Sequence, residues 1–515
     1  MPADFTATPA DTIHRNAIDQ RLVIAASVLL SLWLIYLDPI LNRDAILYLR
    51  AAEAYLSDGL FASQEMFGRP SLSVLIAELH RITGLPLHHA GLALTTLFYA
   101  LLSTGFVATV ATLGGDRRVQ IMAAILILTQ PILNNYRSSI MRDPAYWACM
   151  IMALRCLLLY AQQPGLGRQL AWYGWVIAAT VFRFEGIFFA VLAPLALLLP
   201  GSNRRWREVL QLWLPPVLLA GAGMAILLSH ENANTSGPGL FPAINSYVAQ
   251  VLSLPERFRD LAGDTADALL VFSAREDAGW AAIAGLAAIL LINICRAITW
   301  PWVAVLLWGY LRQGWQRVQP RDRYLINAHI VIALAYLALF TLGKHFMLER
   351  YASIVTLFLL LYLAFILSSL WQYAAGKTGR VVAILFMVGM TGDVLHNGDY
   401  KKAYIKDATR WIRQQTPQGA KLMTNDMYVA YFSQRPYNWD TYSAYDLRVN
   451  DMIEQPALWQ GQDFLAMEVK RRERNSWQKF LIKNDLQEIQ TFKGDGRSSI
   501  RIVKLPTMRT TSQNR

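Results

Sequence analysis

Apolar runs of membrane-spanning length recur from Leu22 to about His396, and from Asn397 onward charged and polar residues appear every few positions. Runs this long, repeated with only short interruptions, are what hydrocarbon demands of a chain that crosses it many times. Candidate spans are Leu22–Leu37, Ala90–Leu113, Val119–Leu133, Ala145–Leu159, Leu170–Phe182, Ile187–Leu199, Val209–Ser229, a span within Trp280–Leu311, Leu325–Leu342, Ala352–Trp371 and Val381–Leu395. The expected fold is a polytopic α-helical membrane protein with about eleven transmembrane helices, followed by a small α/β C-terminal domain. In that domain Ala403–Gln414 has helical periodicity and stops at Thr416-Pro417-Gln418-Gly419, and a short strand follows around Leu422. Glu488–Phe492 and Ser499–Val503 flank Lys493-Gly494-Asp495-Gly496 in the manner of a hairpin.

Basic residues set the orientation. Arg117-Arg118, Arg168, Arg204-Arg205 with Arg207, Arg312 to Arg323, and Lys377 to Arg380 fall in alternate loops, which assigns those loops to the cytoplasm. Leu170 to Pro200 tests this scheme: one long helix there would reverse the rule, whereas two short helices turning at Arg183-Phe184-Glu185-Gly186 preserve it. The resulting plan has a cytoplasmic leader (1–21), a transmembrane module (22–396) with a first outer loop (38–89), an extracytoplasmic α/β domain (397–506) and a flexible tail (507–515). The first apolar run follows a long polar leader and lacks a small-residue cleavage site, so it reads as a retained anchor. The expected location is the inner (plasma) membrane of a bacterium.

Composition agrees: 54% of the 515 residues are hydrophobic and 16% charged. The net charge of +12 sits mainly in the short loops, where topology places it, so a nucleic-acid partner is rejected. Cys149, Cys156 and Cys295 lie in apolar segments and read as packing residues. The sequence holds no phosphate-cradling Gly-rich loop, no paired-cysteine zinc motif and no Asp-x-Asp in the outer loops, so no metal or cofactor is indicated. His88-His89 reads as an interfacial pair. Asn234-Thr235-Ser236 fits a glycosylation acceptor, a signal that counts only in a secretory compartment.

The outer face gathers the unusual pieces. Asn42-Arg43-Asp44-Ala45-Ile46-Leu47-Tyr48 opens an amphipathic stretch through Leu60, with Asp44 and Tyr48 on one helical face. Asp44 fits a general base that takes a proton from an acceptor hydroxyl, and equally a first-turn carboxylate behind an Asn42 cap. The second outer loop, Asn134 to Pro144, contributes Arg137 and Arg142 as candidate anion contacts, and Asp143-Pro144 as the start of the next helix. Arg183 and Glu185 sit where two short spans meet, either paired together or contacting substrate. Lys344-His345-Phe346-Met347-Leu348-Glu349-Arg350-Tyr351 places three candidate cations at the end of a span, where a phosphate would find them; helix-end snorkelling gives the same pattern.

These motifs, in this order, resemble the GT-C superfamily of membrane glycosyltransferases, in particular the branch with protein O-mannosyltransferases and the lipid A aminoarabinose transferase. Asp44-x-x-x-Tyr48 with Ala51-Ala52 and Leu56-Ser57-Asp58-Gly59 is similar to that branch's first outer loop, and Arg142-Asp143-Pro144, Arg183-Phe184-Glu185-Gly186 and Glu349-Arg350-Tyr351 follow in matching order. Many relatives carry a second acid directly after the catalytic Asp, where this chain has Ala45. The resemblance implies that Asp44 is the catalytic base, that Tyr48, Arg137, Arg142, Asp143, Arg183, Glu185, Lys344, His345, Glu349, Arg350 and Tyr351 contact substrate, and that the sugar arrives on a polyprenyl phosphate. Arg142, Arg183, Lys344, His345 and Arg350 would then hold the phosphate, and transfer to a hydroxyl of a lipid, glycan or protein would invert the anomeric centre. A lipid-linked glycan transporter would instead show charges in mid-span and related halves. An O-antigen ligase or polymerase would need a large outer loop rich in Arg and His; His230–Gly279 has Arg257, Arg259 and Arg275 but only His230.

Overall fold

In the computed structural model, residues 17–38, 40–199, 206–215, 218, 252–312, 314–373, 377–395, 402–439, 448–494 and 498–506 are described. Six helical stretches among them are long and apolar enough to cross a membrane: Gln20–Leu37, Leu87–Thr112, Asp143–Gln162, Phe272–Ile298, Pro320–Lys344 and Glu349–Gln372. Gly186–Leu198 and Trp300–Leu311 are shorter apolar helices. The protein is therefore a multi-pass α-helical membrane protein.

The helices begin and end where the chain's chemistry requires. The first span, α1 (Gln20–Leu37), is N-capped by Asp19. Three helices then fill the first inter-span connection, α2 (Arg43–Asp58), α3 (Leu60–Met66) and α4 (Ser71–Thr83). The span α5 (Leu87–Thr112) and the shorter helix α6 (Arg117–Thr129) follow, with Asp116 capping the latter through the amides of Arg118 and Val119. The run expected over Val119–Leu133 breaks at Gln130, because Pro131 lacks the amide that would continue the ladder. Next come α7 (Asp143–Gln162), α8 (Leu166–Phe182) and α9 (Gly186–Leu192), with Pro144 in the first turn of α7. The turn between α8 and α9 falls at Arg183–Gly186, as the charge pattern predicts. A Cβ on Gly186 would lie 2.7 Å from the Thr180 amide nitrogen, so only glycine lets the two helices close this tightly.

Beyond a polar helix, α10 (Leu254–Leu269), the single span expected within Trp280–Leu311 is two helices, α11 (Ala278–Ile298) and α12 (Trp300–Leu311). Thr299 between them has φ of 74° and Pro301 follows, so the first helix stops and a second starts in a new direction. Helices α13 (Pro320–Lys344), α14 (Glu349–Tyr373) and α15 (Lys377–Leu395) complete the region. Most of Val209–Ser229, His230 and the Asn234 acceptor motif lie outside the described residues. The bundle's centre is α7 and α14, buried over 83% and 89% of their apolar windows, which explains why they read as continuous apolar runs with no polar face.

The C-terminal region folds as expected into a small α/β unit. Helix α16 (Ala403–Gln415) and the short α17 (Met427–Phe432) pack on a four-stranded sheet of order β1-β2-β4-β3, with β1 Leu422–Thr424, β2 Phe464–Lys470, β3 Glu488–Lys493 and β4 Ser498–Lys504. β1 and β2 are parallel; β3 and β4 form the predicted hairpin, with Phe492 opposite Ile500.

One buried cation fixes the bundle to the second connecting loop. Arg137, expected to contact an anion, points into the bundle instead. Its Nη1 donates to the Ser27 carbonyl (2.8 Å) and to Ser31 Oγ (2.7 Å), its Nε donates to Asn134 Oδ1 (2.6 Å), and the guanidinium lies 4.3 Å from the centre of the Tyr99 ring. Neutral acceptors and an aromatic face thus surround a charge that is 1% exposed, with only its Nη2 left without a hydrogen-bond partner. This corrects the sequence expectation: Arg137 anchors the loop to α1. Arg137→Ala strands those acceptors and opens a cavity, and is expected to cost roughly 2–4 kcal/mol. Thermal unfolding of the purified protein in detergent measures it; an unchanged midpoint refutes the anchor.

Candidate active site

Four connections that are remote in sequence converge at one end of the bundle. Ser138 Oγ donates to Asp38 Oδ2 (2.8 Å), and Asn42 exchanges two hydrogen bonds with the Ile140 backbone, at 3.0 and 3.3 Å. Asn42 stands at the N-cap of α2, but its side chain is spent on this cross-link rather than on the helix. The first and second loops are therefore stitched together, which brings Asp44 to the start of α7.

Asp44, in the first turn of α2, accepts from Arg350 Nη1 at 3.1 Å and keeps its side chain 41% exposed. Tyr48, one turn on, is buried edge-on against Phe67 with ring centroids 5.1 Å apart. Burial raises its pKa, and the nearby positive charge of Arg142 opposes that rise. The Arg142 guanidinium lies 5.2 Å from the centre of the Phe67 ring. Asp143, expected to start the next helix, does so and also pairs with Arg183. Arg183 reaches Glu185 as well, at 3.0 Å, and its guanidinium sits 5.7 Å from the Tyr146 ring and 5.2 Å from the Tyr351 ring. The Arg350 guanidinium lies 5.4 Å from the centre of the same Tyr351 ring.

Two donors in this cluster stand out. Arg142 Nη1 and Arg350 Nε are buried and have no hydrogen-bond partner. A buried, unsatisfied guanidinium donor costs free energy that a bound anion recovers. Arg183, by contrast, is neutralised by two carboxylates and acts as a clamp that holds α7 to the α8–α9 turn.

The structure brings Asp44, Tyr48, Arg142, Asp143, Arg183, Glu185, Arg350 and Tyr351 together, and leaves four candidates aside. Arg137 is the anchor described above. Lys344 and His345 are exposed at the end of α13, where His345 adopts the left-handed conformation of a helix stop. Glu349 faces Arg296, 4.0 Å away. One residue joins the cluster unannounced by the sequence reading: Arg69, between α3 and α4, packs 5.6 Å from the Phe184 ring and interacts electrostatically with Glu185, Arg142 and Arg183. Its signal was faint, an Arg-Pro step between two short helices. Among the described residues no group of three His, Cys, Asp or Glu side chains is placed to hold a metal ion.

Beside the cluster, a cleft of ≈ 280 Å³ opens where the start of α2 meets the C-terminal sheet, lined by Ile40, Arg43, Tyr404, Asp426, Tyr428 and Glu468 among others. Asp426 caps α17 by accepting from the Val429 amide at 2.9 Å. Burial, with Glu468 adding its charge, pushes the Asp426 carboxyl up from 3.8 to about 6.

No family model matches the sequence, and no curated protein sequence does. Among solved structures the chain is similar to ArnT from Cupriavidus metallidurans bound to undecaprenyl phosphate, at 12% identity and a TM-score of 0.42, covering 94% of this chain and 97% of that one. It is also similar to the Archaeoglobus fulgidus oligosaccharyltransferase tethered with an acceptor peptide (14% identity, TM-score 0.40, 81% of this chain and 59% of that one). A third match is arabinofuranosyltransferase AftD from Mycobacteria (15% identity, TM-score 0.45, 95% of this chain and 40% of that one). At these identities and scores the functional reading stands on the residues of this chain.

The raised carboxyl of Asp426 has a measurable consequence. Between about pH 4 and 6 the folded protein holds a proton there that the unfolded chain releases, so this residue's contribution to stability falls as pH rises through that window and is level above it. Asp426→Asn keeps the helix cap and removes the ionisation. Its stability relative to the parent is expected to climb from about pH 4 to about pH 7, by at most about 3 kcal/mol. Thermal unfolding of both proteins across that range checks it; a difference independent of pH refutes the assignment.

Proposed function

We propose that this protein is an inverting glycosyltransferase that moves a sugar from a polyprenyl-phosphate donor to an acceptor hydroxyl, with the cluster on the extracytoplasmic face of the membrane. The observation that carries this reading is a carboxylate at hydrogen-bonding distance from one of two arginines that each keep one buried donor open. Asp44 supplies an acceptor for a proton, and Arg142 and Arg350 supply donors for an anion.

Charge supports the choice of anion. Arg69, Arg142, Arg183 and Arg350 face Asp44, Asp143 and Glu185, a formal excess of one positive charge. A sugar on a polyprenyl phosphate is a phosphodiester with a single negative charge, so it balances the site. Nucleotide sugars are not at hand outside the cytoplasm, and a lipid carrier delivers its phosphate at the depth of these helix ends.

In the reaction the acceptor oxygen attacks the anomeric carbon from the face opposite the phosphate, and the bond from that carbon to the phosphate oxygen breaks. The acceptor's proton passes to Asp44, and the departing polyprenyl phosphate keeps the electron pair and gains a second negative charge. The Asp44–Arg350 pair couples these events. As Asp44 takes the proton it loses its attraction for Arg350, which is then free to bond the phosphate at the moment its charge grows. Arg142 stays on the Phe67 ring, which Tyr48 braces edge-on. Tyr48 and Arg183 act as positioning residues, the former on the Phe67 ring that carries Arg142 and the latter on the α7 start.

Mass spectrometry of polyprenyl-phosphate sugars and envelope glycans tests the reading, in cells with the parent gene, a deletion or Asp44→Asn, with the variant's expression confirmed. Deletion and Asp44→Asn are both expected to accumulate one lipid-linked sugar and to lose that sugar from a glycan, lipid or protein. With the donor so identified, Asp44→Asn should lower kcat by about 100-fold or more, and Arg142→Gln should chiefly raise KM for the donor. If Asp44→Asn behaves as the parent, Asp44 is only a first-turn carboxylate; if deletion leaves every lipid-linked sugar unchanged, the transferase reading fails.

A further inference from the structure

The cleft between the first-loop helix and the C-terminal domain plays no part in the donor chemistry, yet its walls are built with care. It is bordered by Ile40 to Arg43 on one side and by Lys402, Tyr404, Asp426, Tyr428 and Glu468 on the other. Tyr404 donates its hydroxyl to Glu468 Oε1 at 3.1 Å. Its ring lies so close to the β-hairpin that a Cβ on Gly494 would stand 2.6 Å from Tyr404 Cε1. Glu468 is itself locked in place: its backbone amide donates to Asn425 Oδ1 at 2.7 Å, and Asn425 Nδ2 donates back to its carbonyl at 3.0 Å. The adjacent Asp426 is fixed by its cap on α17. Rigid walls of this kind lower the ordering cost of binding.

The chemistry of those walls selects the ligand. Two carboxylates, Asp426 and Glu468, stand against two cations, Arg43 and Lys402, so the formal charges cancel and neither a simple anion nor a simple cation is favoured. Carboxylates accept from pairs of hydroxyls, cations donate to hydroxyl and ring oxygens, and the rings of Tyr404 and Tyr428 in the lining add aromatic surface for C–H groups. Paired donors and acceptors with aromatic faces suit a neutral, polyhydroxylated ring. At ≈ 280 Å³ the cleft stands at the small end of small-molecule pockets, roughly 300 Å³ and up, which suits one or two sugar units rather than a lipid chain.

Position ties the cleft to the reaction. Arg43 lines it, and Asp44 is the next residue on the same helix, turned by about 100° toward Arg350. We propose that this cleft binds a glycosyl unit of the acceptor and presents a hydroxyl of that unit, or of its neighbour, to Asp44. The proposal rests on the transferase reading for its biological meaning; the binding itself does not.

Saturation-transfer NMR on the full chain in lipid nanodiscs tests it, with a panel of methyl glycosides of hexoses, 6-deoxyhexoses, pentoses and uronic acids and no donor present. A subset of neutral glycosides is expected to receive saturation from the parent protein, and at least fivefold less from Glu468→Gln, which keeps an acceptor for Tyr404. Lys402→Ala, at an exposed position, should weaken binding similarly and guards against a folding defect in the first variant. The proposal is overturned if no glycoside is saturated, or if both variants bind as the parent does. Binding lost in the variants, together with lipid-linked sugars that do not respond to deletion, would keep the cleft and discard the transferase. A positive cellular assay with no glycoside binding would do the reverse.

Discussion

A charge at the end of an apolar helix bundle must be matched locally, because neither water nor distant counter-ions can do it there. Arg183 shows how this constraint shapes the site. It takes up Asp143 from the start of α7 and Glu185 from the following turn, and its flat guanidinium is enclosed by Tyr146 and Tyr351. With both carboxylates hydrogen-bonded to one arginine, the remaining arginines feel Asp143 and Glu185 only through space, and Asp44 is the acid that one of them contacts directly. Arg350 takes it, and Arg142 makes do with an aromatic face. Beside this closed ion triad, Arg142 Nη1 and Arg350 Nε stay without a hydrogen-bond partner.

The two arginines of the second loop show how little sequence distance says about role. Arg137 and Arg142 are five residues apart in the same polar loop, yet one donates to Ser27, Ser31 and Asn134 inside the bundle, with only its Nη2 left open, while the other rests its guanidinium on the Phe67 ring and keeps its buried Nη1 unused. What separates them is the environment supplied by α1. Two serines one turn apart, Ser27 and Ser31, make a polar stripe on an otherwise apolar span, and a buried arginine completes it. That stripe is visible in the sequence, but its partner is not, because the pairing spans 110 residues.

Much of the architecture was legible because it follows from local rules. Spans are long apolar runs, the α8–α9 turn is marked by charges between two short ones, and the hairpin is announced by a glycine-rich tetrapeptide between alternating segments. The joint order of Asp44, Arg142-Asp143-Pro144, Arg183–Gly186 and Arg350-Tyr351 was also legible, and these are the residues that meet. Lys344 and His345 were not separable from Arg350 by sequence, since all lie at one helix junction; only the stop at His345 turns them outward. Arg69 escaped because a single cation in a loop has many structural uses. The break at Thr299 escaped because Pro301 is compatible with the first turn of a helix as well as with its end.

Helix α2 is what joins the parts into one site. One face buries Ala45, Tyr48, Leu49 and Ala52 against the first and second loops, while Ile46 packs on Met427 of the C-terminal domain. Arg50 lies 4.1 Å from the Trp439 ring, Glu53 accepts from Tyr431, and His88 at the start of α5 meets the Phe432 ring. The C-terminal domain therefore touches the helix that carries Asp44 along three of its turns, and sets the acid's position together with the loops. On a helix, consecutive residues diverge by about 100°, so Arg43 can line the cleft toward the sheet while Asp44 turns to Arg350. A base that must stand between a lipid-borne donor and an incoming hydroxyl needs such a helix, with one neighbour on each side.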